Sequence, residues 1–242
     1  MKNKLTGFIL FGSNLFNPYV FFNTLFFNFY HLPFRQAIKL PIWLYKAKLY
    51  DRFKGKVIID CVQIHPGMIR FGFMGGHMYP NNGVQIWNKG KIIFHGRCVI
   101  GNNSAVITGT EGKIEFGNDF IASSSARIIA YTGVRFGEHT RLGFDTMLMD
   151  TNFHPLYDME KKHFKRAYGK IEIGDYNWFG SQCFIMPGVK TPERCIFGAR
   201  SMVTRGTQFE SYCVHGGSPL RILSRNVMRI IGQDTIDKYI ED

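Results

Sequence analysis

Bulky apolar residues recur at a spacing of six through the middle of the chain, and no other feature narrows the choice of fold so far. They fall at Phe94, Ile100 and Val106, at Phe116, Ala122 and Ile128, at Phe136, Leu142 and Leu148, and at Ile173, Phe179, Ile185, Thr191, Phe197 and Val203; thirteen of these fifteen are large and apolar. Glycine follows directly at 101, 117, 137, 143, 174, 180 and 198, where chance placement of the chain's 26 glycines would give fewer than two. A unit of six is too short for a helical repeat. It suits a short strand and a turn, with glycine taking backbone angles that other residues resist. Three units close a triangular coil, and stacked coils bury the recurring side chain along one internal column. The sequence therefore predicts an all-β solenoid.

The phase slips between 106 and 116, between 128 and 136, and between 148 and 173, marking insertions where loops leave the prism. The longest, 149–172, is where function is expected, because long excursions from a rigid scaffold carry it. The solenoid is expected over 57–221. After 215 the period stops, and Val227, Ile230, Ile231, Ile236, Tyr239 and Ile240 have roughly helical spacing, which predicts a closing helix in 222–242.

Composition matters mainly through charge. The chain carries +12, of which residues 1–56 hold nine basic side chains and one acid, Asp51, leaving +4 for the other 186 residues. A basic balance attracts nucleic acid, anionic lipid or a phosphorylated small molecule. Here it describes one end of the chain, and no nucleic-acid partner is expected. Cys61, Cys98, Cys183, Cys195 and Cys213 are widely spaced without a C-x-x-C pair, so they read as structural thiols in a reducing, cytoplasmic setting.

From Leu5 to Phe34 there is no acid, lysine or arginine, and nine phenylalanines fall in that window. Asn14, Asn17, Pro18, Asn23 and Asn28 interrupt it, and unpartnered amides in hydrocarbon cost several kcal/mol each, so a spanning helix is not expected. Nor is a signal peptide, since no small-x-small cleavage site follows. Two readings stay open for 1–56. It is a helical pair capping the core or packing between subunits, or it is a peripheral anchor at the inner face of a membrane, aromatics at the acyl boundary and Arg35 to Lys56 at anionic headgroups.

The stretch Ile173-Gly-Asp-Tyr-Asn-Trp-Phe-Gly-Ser, followed by Ile185-Met-Pro-Gly-Val, Phe197-Gly-Ala-Arg-Ser-Met-Val-Thr-Arg and Gly217-Ser-Pro-Leu-Arg, resembles the acyl-CoA-binding half of the hexapeptide-repeat acyltransferases. That superfamily includes galactoside, maltose, serine and xenobiotic acetyltransferases and many O-acetyltransferases of surface-polysaccharide clusters. The resemblance is specific over about 90–222. It implies a left-handed parallel β-helix assembled as a homotrimer with sites between neighbouring subunits. It also implies a catalytic histidine at His154 within Asp150 to Pro155, and cofactor contacts at Trp178, Ser181, Ala199, Thr204, Arg205 and Arg221. Arg205 stands where lysine is common in the family, and Lys190-Thr-Pro-Glu-Arg replaces an aliphatic-Gly turn.

Acetyl transfer to a hydroxyl needs a base near the acceptor oxygen, a donor for the developing oxyanion and a grip on the thioester. On this reading His154 is the base, and Asp150 or Asp145 holds its tautomer, the sequence not choosing between them. The oxyanion donor is expected to be a main-chain N–H. Trp178 would pack on the pantetheine arm of acetyl-CoA, and Arg205 and Arg221 would meet its phosphates. Lys161, Lys162, Lys165 and Arg166 suit an anionic acceptor or are merely solvated charge. The expected function is O-acetylation of a saccharide hydroxyl in surface-polysaccharide biosynthesis. The alternatives are a serine or antibiotic acetyltransferase and a non-catalytic scaffold. Metal chemistry is not expected, because the tight His-x-x-x-x-His pair of the related gamma-type carbonic anhydrases is absent, His154 and His163 being nine apart.

Overall fold

The computed structural model describes residues 18–73 and 78–232. From Ile42 to Val203 the strands fall in rotation on three sheets, a two-stranded hairpin at 157–164 standing apart. The first face runs from Ile42–Leu44 through Ile69–Phe73, Cys98–Gly101, Phe120–Ala122, Arg141–Leu142, Trp178–Phe179 and Ile196–Phe197 to Cys213–Gly216. The second runs from Ala47–Tyr50 to Met202–Val203, and the third from Lys56–Ile59 to Lys190–Thr191. Within each face successive coils pair in parallel, as in Phe94 with Phe116 and Phe116 with Phe136. The fold is a three-sided parallel β-helix, as the repeat predicts.

All fifteen repeat positions are buried, Thr191 being the most exposed at 8%. Like stacks on like one coil away. The rings of Phe94 and Phe116 are 5.3 Å apart, of Phe116 and Phe136 5.5 Å, and of Phe179 and Phe197 4.5 Å, each pair nearly parallel. These separations follow the strand spacing of about 4.8 Å, and each buried ring contributes about 2 kcal/mol. Buried polar side chains tie coils together as well: the Asn177 amide donates to the carbonyls of Gly174 at 2.8 Å and Pro192 at 2.7 Å, and its oxygen accepts from the Cys195 N–H at 3.2 Å.

The three phase slips all lie on one edge, between the second and third faces. The first two are short turns, at 109–112 and 131–133, and only the third releases a long loop.

Two boundaries differ from the sequence reading. The solenoid begins at Ile42, because Ile42–Leu44, Ala47–Tyr50 and Lys56–Ile59 form a first coil inside the segment expected to be helical as far as 56. These strands carry neither the six-residue period nor its glycines. At the other end Arg221–Arg225 is a strand antiparallel to Cys213–Gly216, and no helix follows among the described residues to 232; 233–242 lie outside them.

The opposite end is closed differently. Helix α1 (Pro18–His31) and the single turn α2 (Phe34–Ala37) lie over the first coil. The fully buried Asn28 donates to the Ile42 carbonyl at 2.7 Å and accepts from its N–H at 3.1 Å, while the Thr24 hydroxyl accepts from the Leu44 N–H at 3.1 Å. Two side chains thus bond to the edge as a further strand would. The capping reading of this segment holds for the inner side of α1. Residues 1–17 lie outside the described part.

Candidate active site

The loop leaving the fifth coil is a hairpin. Asn152 N–H donates to the Ala167 carbonyl at 2.7 Å, Thr151 bridges Tyr168, and Tyr157–Asp158 pairs antiparallel with His163–Phe164. Its tip is shaped by Asp158, which accepts from the N–H groups of Glu160 at 3.1 Å and Lys161 at 2.9 Å and faces Lys165 Nζ at 3.4 Å. The Lys161 N–H, with help from Lys165, holds the Asp158 carboxyl below the usual carboxylate range against the opposing effect of desolvation.

The root is held by Asp150. Its carboxylate is fully buried and accepts from Tyr131 N–H at 2.7 Å, Thr132 N–H at 2.6 Å, the Thr132 hydroxyl at 2.7 Å and Gly133 N–H at 2.6 Å. A carboxylate bonded in this way fixes the loop to the coil above. Within one chain neither it nor Asp145 is hydrogen-bonded to His154: Asp145 sits on the other edge of the second face, where the Tyr79 hydroxyl donates to it at 2.6 Å and the Tyr79 ring stacks on Phe144 at 5.6 Å. That bond pushes the Tyr79 phenol up to about 12.

His154 is exposed on the hairpin and lines a groove of about 420 Å³ with Asn152, Asp158, Lys161, Lys165, Arg166 and Arg205, among others. His163, which the sequence reading left without a role, lines it too. Arg205 reaches the groove because its arm crosses Gly188 (φ +82), where a Cβ would stand 2.8 Å from the arginine Cδ. Thr204 is half-buried beside it, its hydroxyl 3.2 Å from that of Thr207. The other expected contacts lie elsewhere on the prism. Ser181 and Ala199 occupy turns one coil apart on the edge that also carries Asp145, between the first and second faces. Their main-chain N–H groups donate no hydrogen bond among the described residues. Trp178 lies half-buried on the first face under the Arg229 guanidinium, 4.6 Å from its ring, and Arg221 is exposed at the start of the final strand. A single chain thus brings His154 and Arg205 together and keeps Ser181, Ala199 and Asp145 on a separate edge.

Among the described residues no group of three or more histidine, cysteine or carboxylate side chains is arranged to hold a metal. The cysteines are free. Four are buried, and desolvation pushes the Cys195 thiol up to about 12, far from a reactive thiolate.

No protein-family model matches the chain. Over 71 residues it is 35% identical to chloramphenicol acetyltransferase of Morganella morganii, a stretch that is 29% of this chain and 32% of that protein. Over 93 residues it is 26% identical to galactoside O-acetyltransferase of Lactococcus lactis, covering 38% of this chain and 44% of the relative. These relatives are all named as acetyltransferases. The chain spans between about a third and a half of the length of these curated proteins. Among solved structures, the polysialic-acid-specific acetyltransferase NeuO aligns with 80% of this chain and 94% of its own at a TM-score of 0.48 and 20% identity. A galactoside acetyltransferase in complex with coenzyme A aligns with 84% and 78% at 0.37 and 16%.

Likeness to hexapeptide-repeat acetyltransferases did not disclose the Asp150 clamp or the Tyr79–Asp145 bond. The first joins residues 17 to 19 positions apart and the second 66. Neither pairing has a local signal.

Proposed function

We propose that the chain is an acetyl-CoA-dependent O-acetyltransferase acting on a saccharide hydroxyl, with His154 as general base. One observation carries this reading: His154 and Arg205, far apart in sequence, line a single groove with Lys161, Lys165 and Arg166.

The residues present fit acetyl-CoA. Arg205 offers a bidentate fork to phosphate. The N–H groups of Ser181 and Ala199, without partners among the described residues, are donors for amide carbonyls, and Trp178 offers an apolar plane. When bound, the cofactor supplies an activated acyl group. His154 takes the acceptor hydroxyl's proton at a ring nitrogen as the oxygen becomes nucleophilic, and then gives it up to the departing sulfur, ending neutral. A base so placed contributes roughly 10²- to 10⁴-fold. Asp150 acts through the loop, holding the root from which His154 projects.

Because the contacts occupy two edges of one prism, the complete site takes one edge from each of two copies, and the assembly is a homotrimer on this reading. The groove's cations outnumber Asp158, its one carboxylate, which favours an acceptor carrying negative charge, such as an acidic saccharide or its lipid-linked precursor. Unpaired cysteines fit a cytoplasmic setting.

Identity to chloramphenicol acetyltransferase favours a second reading, acetylation of a small hydroxylated drug. An acceptor screen with labelled acetyl-CoA, spanning acidic and neutral saccharides, lipid-linked saccharides, serine and chloramphenicol, separates the two. Label on an acidic saccharide is the expected result, and label on chloramphenicol alone selects the second reading. Acetyl-CoA at 100 times its dissociation constant stabilises the fold by about 2.7 kcal/mol. A thermal midpoint indifferent to it would leave only a scaffold.

A further inference from the structure

The capping end of the prism presents a surface that acyl transfer does not use. In α1, Val20, Thr24, Phe27 and Asn28 face the first coil. Phe22 and Phe29, seven positions apart, stand on the opposite side of the helix, 65% and 49% exposed. Phe34 at the start of α2 is 71% exposed, its ring 6.2 Å from Phe29. Next to them Phe53, also exposed, packs on Phe26 at 5.7 Å and Tyr30 at 5.4 Å, and the Arg52 guanidinium lies over Phe26 and Phe53. Clustered exposed rings of this kind mark a contact surface.

Cations accompany the rings. Arg35, Lys39, Lys54 and Lys56 are all exposed. The only acid between Met1 and Ile59 is Asp51. Its carboxylate is engaged by the Trp87 indole N–H at 3.0 Å and by Lys54 and Lys89 at 3.6 and 3.7 Å.

We propose that this end docks on an anionic lipid surface, with Phe22, Phe29 and Phe34 entering the boundary between headgroups and acyl chains and the neighbouring cations meeting lipid phosphates. Charge decides the occupant. A second copy would press two cationic caps together, whereas an anionic bilayer offers the opposite sign and an apolar layer at once. No described helix is long and apolar enough to cross a membrane, so α1 lies on the bilayer while Thr24 and Asn28 keep it bonded to the first coil. The hairpin bearing His154 leaves the fifth coil, four coil steps or roughly 19 Å from that end, within reach of an acceptor held in the same bilayer. The docking itself does not depend on the proposed chemistry.

Flotation of the full chain with phosphatidylcholine vesicles, with and without phosphatidylglycerol, tests the proposal. The wild type should float only with the anionic vesicles and be released by high salt. Replacing Phe22, Phe29 and Phe34 with serine should lower the partition coefficient by roughly tenfold per ring, and Arg35→Gln, Lys39→Gln and Lys54→Gln by about fivefold per charge. Thermal midpoints equal to wild type show both variants folded, since all six side chains are exposed. A wild type that stays with the soluble fraction overturns the proposal, as does a triple-serine variant that floats undiminished. Concentration-dependent dimerisation abolished by the serine substitutions, without flotation, would instead assign the patch to a second copy. None of these readouts requires turnover, so their failure is distinct from failure of the acetyltransferase reading.

Discussion

Two edges flank the second face of the prism, and they are built on opposite terms. On the edge shared with the first face the turns after Leu142, Phe179 and Phe197 have one length, and the N–H groups of Gly143, Gly180 and Gly198 each donate to the next coil at 2.7, 2.7 and 2.8 Å. A Cβ on Gly143 would stand 2.6 Å from the Ser181 nitrogen, and one on Gly180 2.7 Å from the Ala199 nitrogen, so the coils meet there as bare backbone. What this edge offers a ligand is main-chain N–H. On the edge shared with the third face the period breaks, and the break carries histidine, lysine and arginine. An unbroken repeat builds its chemistry from backbone, and a broken one from side chains.

That contrast can be pressed by substitution. His154→Ala on the broken edge should cost the most, a fall in kcat of roughly 10²- to 10⁴-fold with acetyl-CoA affinity and thermal midpoint unchanged; retained turnover in a labelled-acetyl assay would remove His154 as the base. Asp150→Ala leaves three N–H groups and a hydroxyl without their acceptor and should lower stability by about 3 kcal/mol, read by urea unfolding, with faster proteolysis inside 152–168. Gly188→Ala forces an L side chain to positive φ and moves the Arg205 arm. It should cost about 1 to 2 kcal/mol and raise KM for acetyl-CoA severalfold while kcat holds. Tyr79→Phe, on the regular edge, should be mildest. Loss of one bond to Asp145 lowers stability by about 1 kcal/mol and leaves turnover alone, and a collapse of kcat would show that the two edges share side-chain chemistry after all.

The same contrast explains what could be read in advance. The period and its glycines are local, so the stacking of Phe94 on Phe116 and of Phe179 on Phe197 was legible, as was the exit of the 149–172 loop. The first coil was not. Trp43, Leu44 and Tyr45 are buried there without the period, closed over by a helix whose buried Asn28 looked from sequence only like an obstacle to membrane insertion. Asp150 was legible as important but its partners were not, because 131–133 belong to the coil above. His154 and Arg205 were named from family resemblance and not from spacing, and the groove they share was not legible, since winding alone sets which turns share an edge.

The two closures of the tower have a last consequence. Parallel ladders with open ends can add subunits end on end and grow into fibrils. Here Thr24 and Asn28 occupy the first strand of the first face, and Arg221–Arg225 crosses its last in the opposite direction. At both described ends of that face the parallel ladder is interrupted, so a further copy finds no parallel strand there to extend.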